Sequence, residues 1–234
     1  MTKLTAFLPC RAGSQRVPHK NTRRFADEPH GLLGIKLRQL LDCPQIDEVL
    51  LSTNDPEVVA IGERFAADAG GRLVVRPRPD HLCSSSTSTD EVCAYVPEVV
   101  HEGDVLWTHV TSPFFGAAKY GEAIAAFREA LRTGSHDSLM GVTELYAFLW
   151  NADGPTNYDR AVEKWPRTQT LEPLYEVNSS IFIAPIETYR ERGDRIGERP
   201  VLHVVGKGDA VDIDWEEDFV IAEELWRMRG ASAR

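Results

Sequence analysis

Apolar residues along this 234-residue chain fall into short continuous runs that alternate with stripes of helical period. Leu4 to Leu8 is an unbroken run of the length of a buried strand. Leu32, Leu33, Ile35, Leu37, Leu40 and Leu41 recur at helical spacing and stop near Pro44. Val49-Leu50-Leu51 predicts a second strand, closed by Ser52-Thr53-Asn54-Asp55. Asp55 followed by Pro56 is a helix start, an N-cap with proline in the first turn. Val58, Val59, Ile61, Phe65 and Ala66 give that helix its buried side, Gly70-Gly71 ends it, and Leu73-Val74-Val75 predicts a third strand. Such alternation implies an α/β fold with a mostly parallel sheet and helices on both faces. Ligands in such folds bind outside the C-terminal ends of the strands. The loop after Leu8, the Ser52–Asp55 turn and the stretch after Val75 all fall on that edge.

The pattern continues with a hydroxyl run, Ser84 to Thr89, ahead of a helix containing Val92, Tyr95, Val96 and Val99. That run reads either as a flexible turn with an N-cap or as part of a site. Val105 to Val110 predicts a strand ended by Thr111-Ser112-Pro113, then Ala117 to Leu131 a helix and Leu139 to Leu145 a strand. Between 146 and 175 the periodicity breaks, in a segment with two tryptophans, three prolines and the turn Asp153-Gly154-Pro155. An aromatic insertion of this kind marks a contact surface or packs onto its own subunit. A strand at 178–183, a short helix at 186–192 and a strand at 201–205 follow. The last helix is expected to bury Phe219, Ile221, Ala222 and Leu225 and to fray from Arg229.

Composition narrows the function. The length suits a single domain with a substantial core. A formal charge of −10 argues against a nucleic-acid surface. No apolar stretch approaches the ~20 residues that span a bilayer, and no signal-peptide core opens the chain. Cys10, Cys43, Cys83 and Cys93 lack close-pair spacing, and the histidines lack a helical metal-ligand pair, so neither a zinc site nor a disulfide framework is expected. A cytoplasmic protein with reduced thiols is the expectation.

Against that acidic background the first loop, Leu8 to Asn21, is locally basic. Arg11, Arg16 and Lys20 can neutralise an anion, and Gly13 lets backbone N–H groups approach it. A strand leading into such a loop suits phosphate, although a solvated connection would look the same. The loop carries neither the Gly-x-Gly-x-x-Gly nor the Gly-Lys-Ser/Thr pattern, which argues against a nicotinamide dehydrogenase and a P-loop enzyme. Near the other end, Asp212 and Asp214 share one face of an extended segment, with Ile213 on the other. Paired carboxylates suit Mg²⁺ completed by phosphate oxygens and water; acidic residues before a helix also serve as caps.

The motif Arg11-x-Gly13-Ser14-x-x-Val17-Pro18-x-Lys20-Asn21 resembles the signature loop of the acylneuraminate cytidylyltransferases, the CMP-sialic acid synthetases and their relatives. Thr111-Ser112-Pro113, Asn178 and Asp212-x-Asp214 follow in the family's order. The resemblance implies a Rossmann-like, nucleotide-diphospho-sugar transferase type of fold with a dimerisation extension at 146–175, working as a homodimer. It implies a reaction joining CTP to an acidic sugar with release of pyrophosphate. By that resemblance Leu8, Cys10, Arg11, Gly13, Ser14, Lys20 and Asn21 hold the nucleotide, with Arg76 and Ser84 on the base side. His109 (where the family has Gln), Thr111, Arg167, Gln169, Tyr175 and Asn178 face the acceptor. Asp212 and Asp214 hold Mg²⁺, and Arg11, Lys20 and Asp214 carry the chemistry. The chain departs from the family at Gln15, where the loop usually has Lys, and at Glu176, where Arg is usual. A different acidic acceptor, such as ketodeoxyoctonate or a phosphonate, therefore stays open, as does a non-catalytic nucleotide-binding relative.

Overall fold

The computed structural model describes residues 2–232. Four parallel strands form the nucleus of the sheet: β1 (Leu4–Pro9), β2 (Glu48–Thr53), β3 (Leu73–Pro77) and β4 (Asp104–Trp107). They are joined by α1 (Gly31–Leu41), α2 (Pro56–Asp68) and α3 (Thr89–Val99). Beyond β4 come α4 (Ala117–Thr133), β5 (Ser138–Leu145), a small hairpin of β6 (Trp150–Asn151) and β7 (Gly154–Pro155), and β8 (Leu174–Pro185). The chain closes with α5 (Ile186–Arg192), β9 (Pro200–Val204) and α6 (Glu216–Ser232). The seven-stranded sheet runs β3-β2-β1-β4-β8-β5-β9. Only β8 opposes its neighbours, being antiparallel to β4 and to β5.

Alternate residues of β1 feed two cores. Leu4, Ala6 and Leu8 pack on one face with α1, α4 and α6, while Phe7 packs on the other with α3 and α5. Covering both faces is what lets the central strands be apolar throughout. Local signals act as anticipated at α2, where the Asp55 side chain accepts from the Glu57 N–H and Pro56 occupies the first turn. Ser88 and Glu91 close a reciprocal capping box that starts α3.

Four expectations need correction. The β4 strand ends at Trp107 rather than Val110, where the chain passes into a turn; there the Thr108 hydroxyl bonds the Tyr120 hydroxyl (2.7 Å) and donates to the Ser180 carbonyl (2.8 Å). The next long strand begins at Leu174, four residues before Asn178, since Leu174–Val177 pair with β5 to make an arm beyond the sheet. In α6, Phe219 and Ala222 are buried and Leu225 packs beside them, but Ile221 is exposed; the helix turns its 219/222 edge inward. That helix continues through Ser232 rather than fraying at Arg229, and Ala233 and Arg234 lie outside the described residues.

Residues 146–175 pack largely on themselves. Phe148 meets the rings of Tyr158 and Trp165, Arg160 lies over Trp150 and Trp165, and the Trp150 indole donates to the Tyr158 hydroxyl at 2.9 Å. Both tryptophans nonetheless stay more than half exposed.

Candidate functional site

A cleft of about 490 Å³ opens at the C-terminal edge of the parallel strands. Its walls come from the first loop, from Arg78 and the 85–89 hydroxyl segment, and from the turn carrying His109 and Thr111. The loop is anchored rather than free. Val17 is fully buried, the Cys10 N–H donates to the Ser52 carbonyl (2.9 Å), and the Ala12 N–H donates to Asn54 Oδ1 (2.9 Å). Asn21 closes the loop by donating from Nδ2 to the Arg11 carbonyl at 3.3 Å. Gly13 sits at φ +75°, and a Cβ there would meet nothing within 4 Å. Glycine is therefore required by the left-handed backbone and not by crowding.

The two ends of the chain meet beside this loop. Arg16 pairs with Asp214 at 2.7 Å, and Lys20 Nζ lies 3.9 Å from the same oxygen while donating to the Ile213 carbonyl at 2.8 Å. Ile213 is fully buried, as alternation required, and its N–H donates to the Thr111 carbonyl at 3.1 Å. That bond ties the 212–214 segment to the cleft wall. Burial lowers the Lys20 pKa, opposed by Asp214 and Asp212. Burial likewise raises that of Asp212, helped by Asp214 and opposed by the Thr111 hydroxyl and Lys20.

The N–H groups of Asp214 and Trp215 donate to Asp218 at 3.0 and 2.8 Å, so Asp218 supports the start of α6 and the Asp212/Asp214 carboxylates do not. Asp212 Oδ1 is buried and has no partner among the described residues. A buried carboxylate oxygen without a donor is costly unless a cation meets it. This donor set, two hard carboxylates, fits Mg²⁺ that takes its remaining oxygens from phosphate and water. Among the described residues no group of three or more His, Cys, Asp or Glu could hold a metal without such help.

The remaining expected residues divide. Cys10, Arg11, Ser14, Lys20, Asn21, His109 and Thr111 line the cleft. Leu8 is buried in the core, and burial pushes the Cys10 thiol up to about 12, so it stays protonated. Arg76 and Ser84 are exposed and do not line the cleft; Ser84 bonds Ser86 and Thr87 instead. Arg167, Gln169 and Tyr175 are exposed on the extension and arm, and Asn178 bonds Thr143 and the Ser180 N–H; none of them lines this chain's cleft.

Among the residues the sequence reading did not assign to the site are Arg78, in the cleft wall, and Lys36, behind it. Arg78 is buried, its guanidinium donating to the Ser52 hydroxyl (3.2 Å) and carbonyl (2.9 Å). Lys36 is fully buried beneath the 108–115 turn, donating to the carbonyls of Ser112 (2.9 Å) and Phe115 (3.2 Å) and to the Tyr120 hydroxyl (2.8 Å). Both depend on contacts far along the chain, which spacing does not reveal.

This geometry agrees with what the chain is similar to. It is 24% identical to the N-acylneuraminate cytidylyltransferase of Escherichia coli over 94% of its own length and 51% of that protein's. It is 23% identical to the pseudaminic acid cytidylyltransferase of Campylobacter jejuni over 99% of both. The chain thus spans about half the length of the N-acylneuraminate enzymes it matches. In fold it resembles a CMP-2-keto-3-deoxy-manno-octonic acid synthetase solved with CTP, at TM-score 0.66 and 15% identity, covering 97% of this chain and 100% of that one. The 4-diphosphocytidyl-2C-methyl-D-erythritol synthase of Anaerococcus prevotii has the same TM-score at 14% identity, over 97% of this chain and 96% of that one. No described helix is long and apolar enough to cross a membrane. The cytidylyltransferase family profile matches residues 5–190, from β1 through most of α5, and with the basic loop at the mouth of the cleft the chain belongs to that family.

Proposed function

We propose that this protein joins CTP to an acidic sugar, sialic acid or a related nonulosonic acid, giving a CMP-sugar and pyrophosphate. The observation that carries the reading is the meeting of Arg16 and Lys20 with Asp214, beside Asp212, whose buried Oδ1 has no partner among the described residues; Arg11 bonds within its own loop, close enough to Lys20 to act on its charge. The first loop cradles the triphosphate through its N–H groups around Gly13 and through its cations. On the base side Arg78, Ser85, Thr87 and Ser88 line the wall, with Arg76 and Ser84 just outside it. Asp212 and Asp214 would hold Mg²⁺, which when bound neutralises phosphate charge.

The acceptor's anomeric hydroxyl oxygen attacks the α-phosphorus and loses its proton to solvent. A new phosphorus–oxygen bond forms as the bond to the β-phosphate bridging oxygen breaks. Arg11 and Lys20 stabilise the charge that develops on the departing pyrophosphate. Arg16 lines the cleft and pairs with Asp214 at its side; a divalent cation held by the two aspartates would offset the charge that Arg16 now balances and would leave its guanidinium to the phosphates. The extension, with its half-exposed tryptophans, supports a homodimer in which Arg167, Gln169, Tyr175 and Asn178 serve an acceptor site completed by the second subunit. The setting is the cytoplasm, with no nucleic-acid or membrane partner.

A second reading keeps the chemistry and changes the acid. Glu176 is exposed on the β8 arm where the resembling family has a cation, which favours an acceptor read by other groups. Pyrophosphate release from CTP, measured over sialic, pseudaminic, legionaminic and ketodeoxyoctonic acids and phosphonates, separates the readings. The proposal expects release with at least one nonulosonic acid and loss of release on chelation; release with none overturns it.

A further inference from the structure

Lys36 interrupts the apolar stripe of α1 with a cation, yet it is fully buried. Its nitrogen meets three neutral oxygens, the carbonyls of Ser112 (2.9 Å) and Phe115 (3.2 Å) and the Tyr120 hydroxyl (2.8 Å). The protons of this network can be counted. Carbonyls only accept, so the single proton of the Thr108 hydroxyl goes to the Ser180 carbonyl at 2.8 Å. The Tyr120 hydroxyl then gives its own proton to Thr108 Oγ1 at 2.7 Å and can only accept from Lys36. All three oxygens around Lys36 Nζ therefore need a donor, which the ammonium alone supplies. Burial lowers the Lys36 pKa to about 7, opposed by Asp212, so the ammonium predominates in mildly acidic buffer. The same helix grips the turn a second time, with Gln39 Nε2 donating to the Pro113 carbonyl at 2.6 Å. Near its start the Leu33 N–H donates to the Asn21 carbonyl of the first loop at 2.9 Å. One helix thus braces both walls of the cleft from behind.

We propose that Lys36 is a positioning residue for the divalent-cation site: its buried nitrogen, wired as a three-way donor, fixes the 108–115 turn so that Thr111 holds the 212–214 segment against the first loop. Thr111 is the link between the two. Its carbonyl accepts from the Ile213 N–H at 3.1 Å, and its hydroxyl supports the Asp212 carboxylate. A turn that lost its donors would leave buried carbonyls unpaired and would shift to find water, taking Thr111 with it. Lys36 itself lies outside the cleft lining and touches neither aspartate. It acts on the cation through geometry, as residues behind metal-binding carboxylates do. The inference rests on the proposed cation site of Asp212 and Asp214 and deepens it, by naming what holds that site in register with the loop.

The test is binding of CTP with and without Mn²⁺ at pH 6.5, the metal followed by paramagnetic resonance, beside steady-state kinetics in Mg²⁺. K36M keeps the shape of the side chain and removes its donors. It should weaken the Mn²⁺·CTP complex about 10-fold or more, while binding of metal-free CTP moves less than about threefold. The Mg²⁺ concentration for half-maximal pyrophosphate release should rise by a similar factor, and saturating Mg²⁺ should bring kcat back to within about threefold. Y120F, which removes one of the three oxygens, should weaken Mn²⁺·CTP in the same direction but less. Combined with K36M it should add no more than about twofold, because both changes cut one network. An Mn²⁺·CTP affinity within twofold of the unsubstituted protein in K36M would overturn the proposal. So would an equal loss of metal-free CTP, or a fall in kcat that saturating Mg²⁺ leaves in place. Should K36M not fold, Y120F alone decides, and an unchanged Mn²⁺·CTP affinity there overturns it. If the unsubstituted protein binds CTP yet gives no bound-Mn²⁺ signal, the cation site itself fails and this inference falls with it.

Discussion

Replacing Lys20 by Met tests the division of labour in the loop most sharply. The side chain is only 13% exposed, its ammonium lies 3.9 Å from Asp214, and it is tied to the backbone at Ile213. At about 4 Å and an effective dielectric of ~20, two unit charges interact by about 4 kcal/mol. A transition state in which about half a unit of new charge has formed on the departing pyrophosphate would gain about 2 kcal/mol from this ammonium, and about 4 kcal/mol if separation is complete. That corresponds to a fall in kcat of roughly 30-fold to 1,000-fold. The ground-state acceptor contact does not involve Lys20, so its KM should move by less than about threefold. Removing the bond to the Ile213 carbonyl costs about 1 kcal/mol of stability, visible as a small loss of Tm but not of folding. The assay is enzyme-coupled pyrophosphate release at saturating CTP, with thermal unfolding in parallel. A folded K20M protein with kcat within threefold of the unsubstituted enzyme would refute the reasoning.

Asp212→Asn should leave the fold as stable or slightly more stable, since it removes a buried carboxylate whose Oδ1 lacks a partner, yet should cut pyrophosphate release at least 100-fold; denaturation and turnover on the same sample check both. Arg16→Ala should tighten Mg²⁺ binding in the absence of nucleotide by no more than about fivefold, because its pair with Asp214 is half exposed, while raising the CTP KM; calorimetric titration reads the first. Burial lowers the Lys36 pKa from 10.5 to about 7, so between those values the unfolded chain binds the extra proton and stability rises with pH. Urea unfolding at pH 7.5 and 9.5 should show a gain in the unsubstituted protein that K36M lacks, on the order of 2 kcal/mol. Changing Trp150 and Trp165 to Ser should shift sedimentation from dimer toward monomer.

How much of this was legible in the residues depended on whether the deciding contact was local. The Asp55-Pro56 start of α2 and the alternation that buries Ile213 between two aspartates are written within a few positions, and both stand as read. The α/β plan put the basic loop at the strands' C-terminal edge, but that the C-terminal carboxylates would meet it there was implied only by the family resemblance. Arg78 looked like any surface arginine three residues past the predicted strand; its burial depends on Ser52, on the neighbouring strand. Lys36 sits inside an apolar helical stripe, and the carbonyls of the 112–115 turn with the Tyr120 hydroxyl explain why a lysine is tolerated there. The first residues of β8 carry an exposed ladder with β5, so no buried face announced them. Ile221 has the spacing of a core residue, but the helix is rotated so that Phe219 and Ala222 fill the site first.

The central claim is that one triphosphate is held from both ends of the chain at once, by the loop cations and through a divalent ion on the two aspartates. Binding of Mn²⁺·CTP, followed by paramagnetic resonance in a double-mutant cycle of Lys20→Met and Asp214→Asn, measures that directly. The account predicts that each change weakens binding of the complex and that the two together deviate from additivity by on the order of 1 kcal/mol or more. Strictly additive losses, or a metal signal indifferent to Asp214, would contradict it.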